Sequence, residues 1–406
     1  MRIVLTVASL YLLSQSDYIR FNMPNPRSQN NENNRGSHPN RGRNRRKIRG
    51  KGRGEGQHRP GHRKALLVDI AATTLEAVER GSYELDGTIY DLKESVEYMN
   101  SKTKYYPEQS NLSDWQTRRL GQDDGEEGDG GENKRETVTV TVSEHSSLVG
   151  IRQMAESLEN LSVGSKTIGV LNFASAKNPG GGFIKGASAQ EESLARSSTI
   201  YSSLLTDPAQ SFYKTHRHDP KKGYYSHAMV YSPKVLFFRA DNGDWKPPIA
   251  AEVVTSCAVN AGVVRRYLKE DNSEDESGID GAMKERMARV LYLFERHGVR
   301  NLVLGSFGTG VFRNRVALVA RVWKELLVGE QARFARSFDR VDMAIIDNKT
   351  CEVFKKVFGG LEDEVVEPEN GDESDGPGDG DGGKAEDDKE SGQEEEDGDQ
   401  ASGSRL

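Results

Sequence analysis

Two adjacent glutamates, Glu191 and Glu192, follow a loop that begins with three consecutive glycines, Gly180 to Gly182. Glycines let a backbone approach a ligand closely and can turn N–H groups toward an anion such as a diphosphate. A carboxyl group beside such a loop can protonate the leaving oxygen of a glycosidic bond and then activate water. Alone, the glycines indicate a flexible loop and the glutamates complement a helix dipole. Together they predict a phosphate-and-sugar site with acid–base chemistry.

Apolar runs and helical spacing predict the elements that position this loop. Strands are predicted over 138–142, 167–173, 228–231, 235–238, 251–256, 302–305 and 341–346. Helices are predicted over 66–78, 146–158, 190–205, 283–294, 316–326 and 349–358. Strands that alternate with helices imply an α/β protein with a mixed or parallel sheet covered on both faces. Its ligand site is expected at the carboxyl ends of the strands.

A second glycine-containing loop, Gly305 to Phe312, follows the strand predicted at 302–305. On its own this sequence is typical of a tight turn. Its position after a buried strand favours a second phosphate-binding loop. The phosphate loop of nucleoside triphosphatases is not indicated, because no Gly-Lys-Ser/Thr follows the glycines.

The first loop also resembles a family signature. Three glycines, seven spacer residues and Gln190-Glu191-Glu192 match the pattern of the microbial-type poly(ADP-ribose) glycohydrolase domain. The resemblance extends from the helix near Leu67 to Gly359 and includes Thr255 to Ala258 and the second loop.

This resemblance implies a macrodomain-like three-layer α/β/α sandwich with a mixed sheet, an N-terminal helical extension and disordered tails. It implies hydrolysis of ribose–ribose bonds without a metal or cofactor. Glu192 would be the general acid, and Glu191 would hold the ribose hydroxyls. Substrate-binding residues are expected at Asn178, Gly180, Gly181, Gly182, Gln190, Gly308, Thr309, Gly310, Val311 and Phe312. By the resemblance, Asn178 would contact the distal ribose, the glycines would wrap the diphosphate and Phe312 would pack on the ribose or a nearby ring.

Two other functions remain open at this point. A reader would bind ADP-ribose without turnover, although a reader has no need of paired glutamates. A hydrolase acting on a single ADP-ribose attached to a protein would use the same carboxyl chemistry. The partners expected are poly(ADP-ribose) or ADP-ribosylated proteins, with no membrane partner and a monomeric chain.

The composition indicates one folded domain between charged tails. Of 406 residues only 34% are hydrophobic, and glycine and charge concentrate at both ends. Segments of this composition bury too little apolar surface to offset the conformational entropy lost on folding. We expect an apolar N-terminus and a basic disordered arm over 1–63, and a catalytic domain over 64–359 with an acidic insertion near 121–135. An acidic tail follows over 360–406.

The N-terminal region leaves location and partners open. Residues 24–63 are rich in arginine, and a basic arm attracts polyanions, so nucleic acid or polymer contact stands beside a merely solubilising role. Only two cysteines occur, which favours a reducing compartment, nuclear or cytoplasmic. The apolar run Ile3 to Leu13 has the length of a signal-peptide core, so secretion and a translation start at Met23 both remain alternatives. His216 and His218 are expected in a polar loop with no metal.

Overall fold

The structure, a computed structural model, describes residues 60–117, 136–161, 166–218 and 221–368. The apolar N-terminus, almost all of the basic arm, the acidic insertion and nearly all of the acidic tail lie outside these residues. The predictions of disorder and of a signal peptide therefore concern residues that the structure does not describe.

The described chain alternates between helices and strands. The helices are α1 (Pro60–Arg80), α2 (Lys93–Lys102), α3 (Ser147–Ser157), α4 (Gln190–Ser197), α5 (Ile200–Leu204), α6 (Asp207–Arg217), α7 (Ala261–Glu270), α8 (Ser277–Arg296), α9 (Val316–Leu327) and α10 (Asn348–Phe358). The strands are β1 (Ser82–Leu85), β2 (Thr88–Asp91), β3 (Lys104–Tyr106), β4 (Thr139–Ser143), β5 (Ile168–Phe173), β6 (Met229–Arg239), β7 (Trp245–Ser256), β8 (Asn301–Leu304) and β9 (Arg340–Ala344).

Seven strands form one mixed sheet in the order β3-β6-β7-β5-β8-β9-β4. Strands β7, β5, β8, β9 and β4 are parallel to one another, whereas β6 runs antiparallel to both β3 and β7. Strands β1 and β2 pair in a separate hairpin. The carboxyl ends of the five parallel strands thus meet at one edge of the sheet.

Helices cover both faces of this sheet. Alternate residues of a strand point to opposite faces, so Leu171 packs with α8, α9 and α10, whereas Val170 packs with α3, α4 and α6. Both residues are fully buried. The predicted three-layer α/β/α sandwich with a mixed sheet is confirmed, and the predicted N-terminal helix is present as α1.

Three local predictions were wrong. The helix expected over 190–205 is two helices, because Ser198 is extended and pairs with Phe237 while the N–H of Thr199 donates to the Leu236 carbonyl. The strands expected over 228–231 and 235–238 are the single strand β6, whose register shifts near Lys234, a residue with φ +51°.

The third error concerns His216, which was expected in a polar loop. It is buried on α6, where its Nε2 lies 2.7 Å from Ser226 Oγ. His218 follows at the end of the same helix. Helices α2, α6 and α7 and strands β1, β2 and β3 were not predicted. In the described residues, no helix is both long and apolar enough to cross a membrane.

Candidate active site

The two glycine-containing loops lie next to each other because their strands are neighbours. Strands β5 and β8 pair in parallel, with Val170 opposite Val303, so the loops that leave their carboxyl ends start side by side. The rings of Phe173 and Phe307 are 5.6 Å apart between these loops. The sheet therefore brings the two predicted segments to one edge, where α/β proteins bind ligands.

The first loop turns sharply at its glycines. Gly180 and Gly181 have φ of +67° and +58°, a left-handed conformation that side chains rarely adopt. The N–H of Gly181 donates to the Asn178 carbonyl, and that of Phe183 donates to the Gly180 carbonyl. The buried Phe183 ring packs edge-on against Tyr201 at 4.8 Å and fixes the loop to α5.

The turn places Gly181 and Gly182 directly against the Glu192 carboxyl group. The Gly182 N–H donates to Glu192 Oε1 at 2.9 Å. A Cβ atom on Gly181 would lie 2.8 Å from Glu192 Cδ and 3.2 Å from Glu191 Oε2. The absence of a side chain at Gly181 is what leaves room for both carboxyl groups. In the described part of the chain, Glu192 Oε2 has no hydrogen-bond partner, and the side chain is half-buried.

The Glu191 carboxyl group lies deeper than that of Glu192, with 3% of the residue exposed. Its Oε2 accepts the Ser175 N–H at 2.7 Å, and its Oε1 accepts the Asn172 side-chain amide at 3.3 Å. Burial raises the pKa of Glu191 from 4.5 to about 8, the Glu192 charge adds to the rise, and hydrogen bonds from Ser175, Asn172 and the Gly180 backbone oppose it. The raised pKa favours the protonated form of Glu191 at neutral pH.

Gln190 joins the start of α4 to the end of β5. Its Oε1 accepts the Phe173 N–H at 2.9 Å, and its Nε2 donates to the Leu171 carbonyl at 2.8 Å and to Ser147 Oγ at 3.2 Å. Both polar atoms of the side chain are thus engaged by the protein. This clamp sets the position from which Glu191 and Glu192 leave the helix.

Side-chain donors fix the carbonyl groups of the second loop, while several of its N–H groups have no acceptor in the described part of the chain. The side-chain amide of Asn314 donates to the Val259 carbonyl at 2.7 Å and to the Gly308 carbonyl at 2.9 Å, and Trp323 Nε1 donates to the Gly305 carbonyl at 3.0 Å. Among the described residues, no protein acceptor receives the N–H groups of Gly308, Gly310, Val311 and Phe312. Such a run of free backbone donors can bind an anionic group.

A comparison with known proteins identifies the family of this chain. The family model "Microbial-type PARG, catalytic domain" matches residues 71–240. The poly(ADP-ribose) glycohydrolase of Thermomonospora curvata, solved with the inhibitor ADP-HPD, is 32% identical with a TM-score of 0.59, over 71% of this chain and 98% of that one. The chain belongs to the microbial-type poly(ADP-ribose) glycohydrolase family.

A second solved member is the glycohydrolase of Deinococcus radiodurans in complex with ADP-ribose. It is 31% identical with a TM-score of 0.54, over 69% of this chain and 99% of that chain. A Glu-to-Ala variant of the Thermomonospora curvata protein is likewise similar, with a TM-score of 0.60 and 32% identity over 72% of this chain and 99% of that one. No curated protein matches the sequence.

The predicted substrate-binding residues of this glycohydrolase differ in how far they are exposed. The Asn178 side chain is exposed at the entrance of the first loop. In the second loop, Thr309 is buried and its Oγ1 donates to the Ser306 carbonyl, whereas Val311 is 80% exposed. The Phe312 ring is half-buried, 6.0 Å from Tyr225. The predicted residues of both loops are therefore assembled at one edge of the sheet.

Sequence reasoning missed the residues that hold the glycohydrolase site together. Asn172 lies within an apolar strand, and the isolated polar side chain there was the available signal. Its amide reaches both Glu191 and Thr255 Oγ1. Asn314 and Ser175 lie in loops, where asparagine and serine are common. Their residue types therefore did not predict the hydrogen bonds to Val259 and Glu191.

Proposed function

We propose that this glycohydrolase cleaves the ribose–ribose bonds of poly(ADP-ribose) to release ADP-ribose, with Glu192 as the general acid. The observation that carries the proposal is the Glu192 carboxyl group, which projects into the space left by Gly181 and keeps Oε2 without a partner among the described residues. A general acid needs a free oxygen within reach of the leaving group. The same carboxylate would then activate the water that attacks the sugar.

Glu191 suits a different role in this proposal. Both of its oxygens already accept hydrogen bonds from Asn172 and Ser175, and the group is buried below Glu192. A protonated Glu191 can donate one hydrogen bond to a ribose hydroxyl while it accepts others. The raised pKa of Glu191 favours the protonated form that such a donated bond requires.

The diphosphate is assigned to the second loop. The N–H groups of Gly308, Gly310, Val311 and Phe312, which have no acceptor among the described residues, form the donor set, and Phe312 offers a ring to the sugar. In the first loop the N–H groups of Gly181 and Gly182 are used within the protein, so those glycines serve the approach of the two carboxyl groups. Gln190 is a positioning residue, since both polar atoms of its side-chain amide are hydrogen-bonded to the backbone of β5.

The proposal also includes the bounds of the catalytic unit and the partner of the basic arm. The catalytic unit is residues 64–359, and a single chain contains the whole site. The arginine-rich arm over 24–63 is assigned to polyanions, either poly(ADP-ribose) or nucleic acid, because arginine side chains neutralise phosphate groups.

The test is to incubate the full chain with purified poly(ADP-ribose) and, separately, with a protein that carries a single ADP-ribose unit. Release of ADP-ribose from the polymer, identified by mass, is expected to exceed release from the protein. Tight binding of ADP-ribose with no release from either substrate would contradict the proposal and indicate a reader. Faster release from the protein would indicate a mono-ADP-ribosyl hydrolase.

A further inference from the structure

Helix α1 contacts the catalytic loop through its first turns. Gly186 follows the turn Phe183–Lys185, has φ +80°, and would place a Cβ 2.8 Å from the Lys64 carbonyl oxygen and 3.2 Å from Val68 Cγ2. Further along α1, the buried Thr74 hydroxyl donates to the Arg196 carbonyl at 2.7 Å. These contacts fix the helix against both the loop and the end of α4.

The exposed side chains at this contact are basic and apolar. Arg63, Lys64 and Lys185 are exposed, while Val68 and Ile184 keep 39% and 48% of their surface in contact with solvent. We name these five residues the α1 rim. The first acidic side chain of α1 is Asp69, whose charge acts on the Arg239 guanidinium.

Arg196 joins the catalytic loop to α4 next to the rim. The Arg196 guanidinium donates to the Ala187 carbonyl in the loop and to Ser193 Oγ on α4. A Cβ on Gly182 would lie 3.0 Å from Ala187 Cβ, and the Gly182 N–H donates to Glu192, so the rim lies beside the catalytic loop.

Local preferences do not explain the charges of the rim. Cations in the first turn of a helix oppose its dipole, yet α1 has no acidic residue there and carries Arg63 and Lys64. Exposed branched aliphatic side chains likewise gain nothing in water. Residues that break local rules without a structural gain are candidates for binding.

We propose that the α1 rim binds the ADP-ribose unit adjacent to the one whose bond is cleaved. This inference rests on the proposed function. Each unit of the polymer carries a diphosphate and an adenine, and the rim offers cations for the first and an apolar surface for the second. The adjacent unit is the leaving group of the reaction, so it extends from the bond beside Glu192 toward solvent. The rim makes the protein prefer polymer to single ADP-ribose units.

The test compares two double variants with equal changes in charge. Arg63→Glu with Lys185→Glu reverses the rim, whereas Lys93→Glu with Lys102→Glu reverses two exposed lysines of α2. Lys64 is kept because its Cγ packs on Gly186. At low salt the rim variant is expected to raise KM for poly(ADP-ribose) about tenfold, and the difference is expected to shrink as salt rises. Its Kd for ADP-ribose and its kcat at saturating polymer should stay at the wild-type values.

The proposal is overturned if both double variants raise KM equally, if the rise is independent of salt, or if the affinity for ADP-ribose falls as much as that for polymer. Retention of polymer on a filter measures the same preference without turnover. If the wild type releases no ADP-ribose, the proposed function fails, and filter retention still decides whether the rim binds polymer.

Discussion

Gly181 and Glu192 are complementary in shape, since a Cβ on Gly181 would lie 2.8 Å from Glu192 Cδ. The same glycine has φ +58°, so the site depends both on its left-handed backbone conformation and on its lack of a side chain. The glycine triplet of this family therefore serves here to admit a carboxyl group as well as to turn the chain. A flexible loop would require neither feature at this position.

Gly181→Ala should displace the Glu192 carboxyl group and strain the turn. Because a shift of about 1 Å in a reacting group costs roughly 100-fold in rate, kcat for polymer is expected to fall about 100-fold. Gly281→Ala is the control, since it lies in α8 with open space around it. The control should keep full activity and gain up to about 1 kcal/mol in the free energy of unfolding. A Gly181→Ala protein with wild-type kcat would refute this role of the glycine.

Glu191 should impose a pH dependence on stability. Its pKa is raised from 4.5 to about 8, so the stability present at low pH is lost as the pH rises through about 8. Burial lowers the pKa of His216 and His297 from 6.5 to about 4, which adds stability as the pH rises toward 6.5 and nothing above it. His227, lowered to about 3, acts in the same sense. Between pH 7 and about 8 these histidines no longer contribute, and burial also raises the pKa of Glu252, so comparison with a Glu191 variant is what assigns the slope.

In that window the free energy of unfolding of the wild type is expected to fall with pH, by up to about 1.4 kcal/mol per pH unit. Glu191→Gln should reduce the slope, whereas the exposed Glu79→Gln should keep it. Denaturant titrations at several pH values measure both. Equal slopes in the wild type and Glu191→Gln would contradict the raised pKa.

Gln190→Ala should weaken both the fold and the reaction. It removes the acceptor of the Phe173 N–H and the donor to the Leu171 carbonyl, and each lost partner of a buried group costs about 1–3 kcal/mol. We expect a lower free energy of unfolding and a lower kcat, with a smaller effect on Kd for ADP-ribose. Gln210→Ala, which loses one bond to the Leu204 carbonyl, should lower stability less and leave kcat unchanged. A Gln190→Ala protein that loses ADP-ribose binding at unchanged kcat would instead make Gln190 a substrate contact.

Asn314→Ala should loosen the second loop. The side-chain amide holds the carbonyls of Val259 and Gly308, so its loss frees the backbone whose N–H groups are assigned to the diphosphate. Kd for ADP-ribose is expected to rise about tenfold, as for the loss of a group that orders a binding loop. Calorimetry measures it, with Asn348→Ala as the control, since Asn348 is exposed at the start of α10. Unchanged affinity in Asn314→Ala would show that the diphosphate binds elsewhere.

The sequence predicted the sheet well where strands are buried and continuous. β5 and β8 are short, largely apolar runs, and α9 and α10 have strong helical spacing, so pattern alone located them. The kink between α4 and α5 escaped because Ser198 and Thr199 are compatible with a helix. Only the pairing with β6, a contact between distant parts of the chain, breaks it.

The residues of the candidate site likewise divide into those that local sequence predicted and those that depend on distant contacts. The pair Glu191 and Glu192 was found because their types and spacing carry the chemistry. The supports Asn172 and Asn314 were missed because their contacts span long stretches of the chain, to Thr255 in one case and to Val259 in the other. The polar helix α6, which buries His216 against Ser226, was missed for the same reason.

The measurement that tests the central claim most directly compares Glu192→Gln with Glu191→Gln and the wild type, for ADP-ribose release from polymer and for ADP-ribose binding. The amide of Glu192→Gln can still accept the Gly182 N–H, so the site keeps its shape and loses only its proton donor. The account predicts that kcat falls about 100- to 10,000-fold in Glu192→Gln while Kd for ADP-ribose changes less than about twofold. Wild-type turnover by Glu192→Gln, together with its loss in Glu191→Gln, would contradict the account and assign the acid to Glu191.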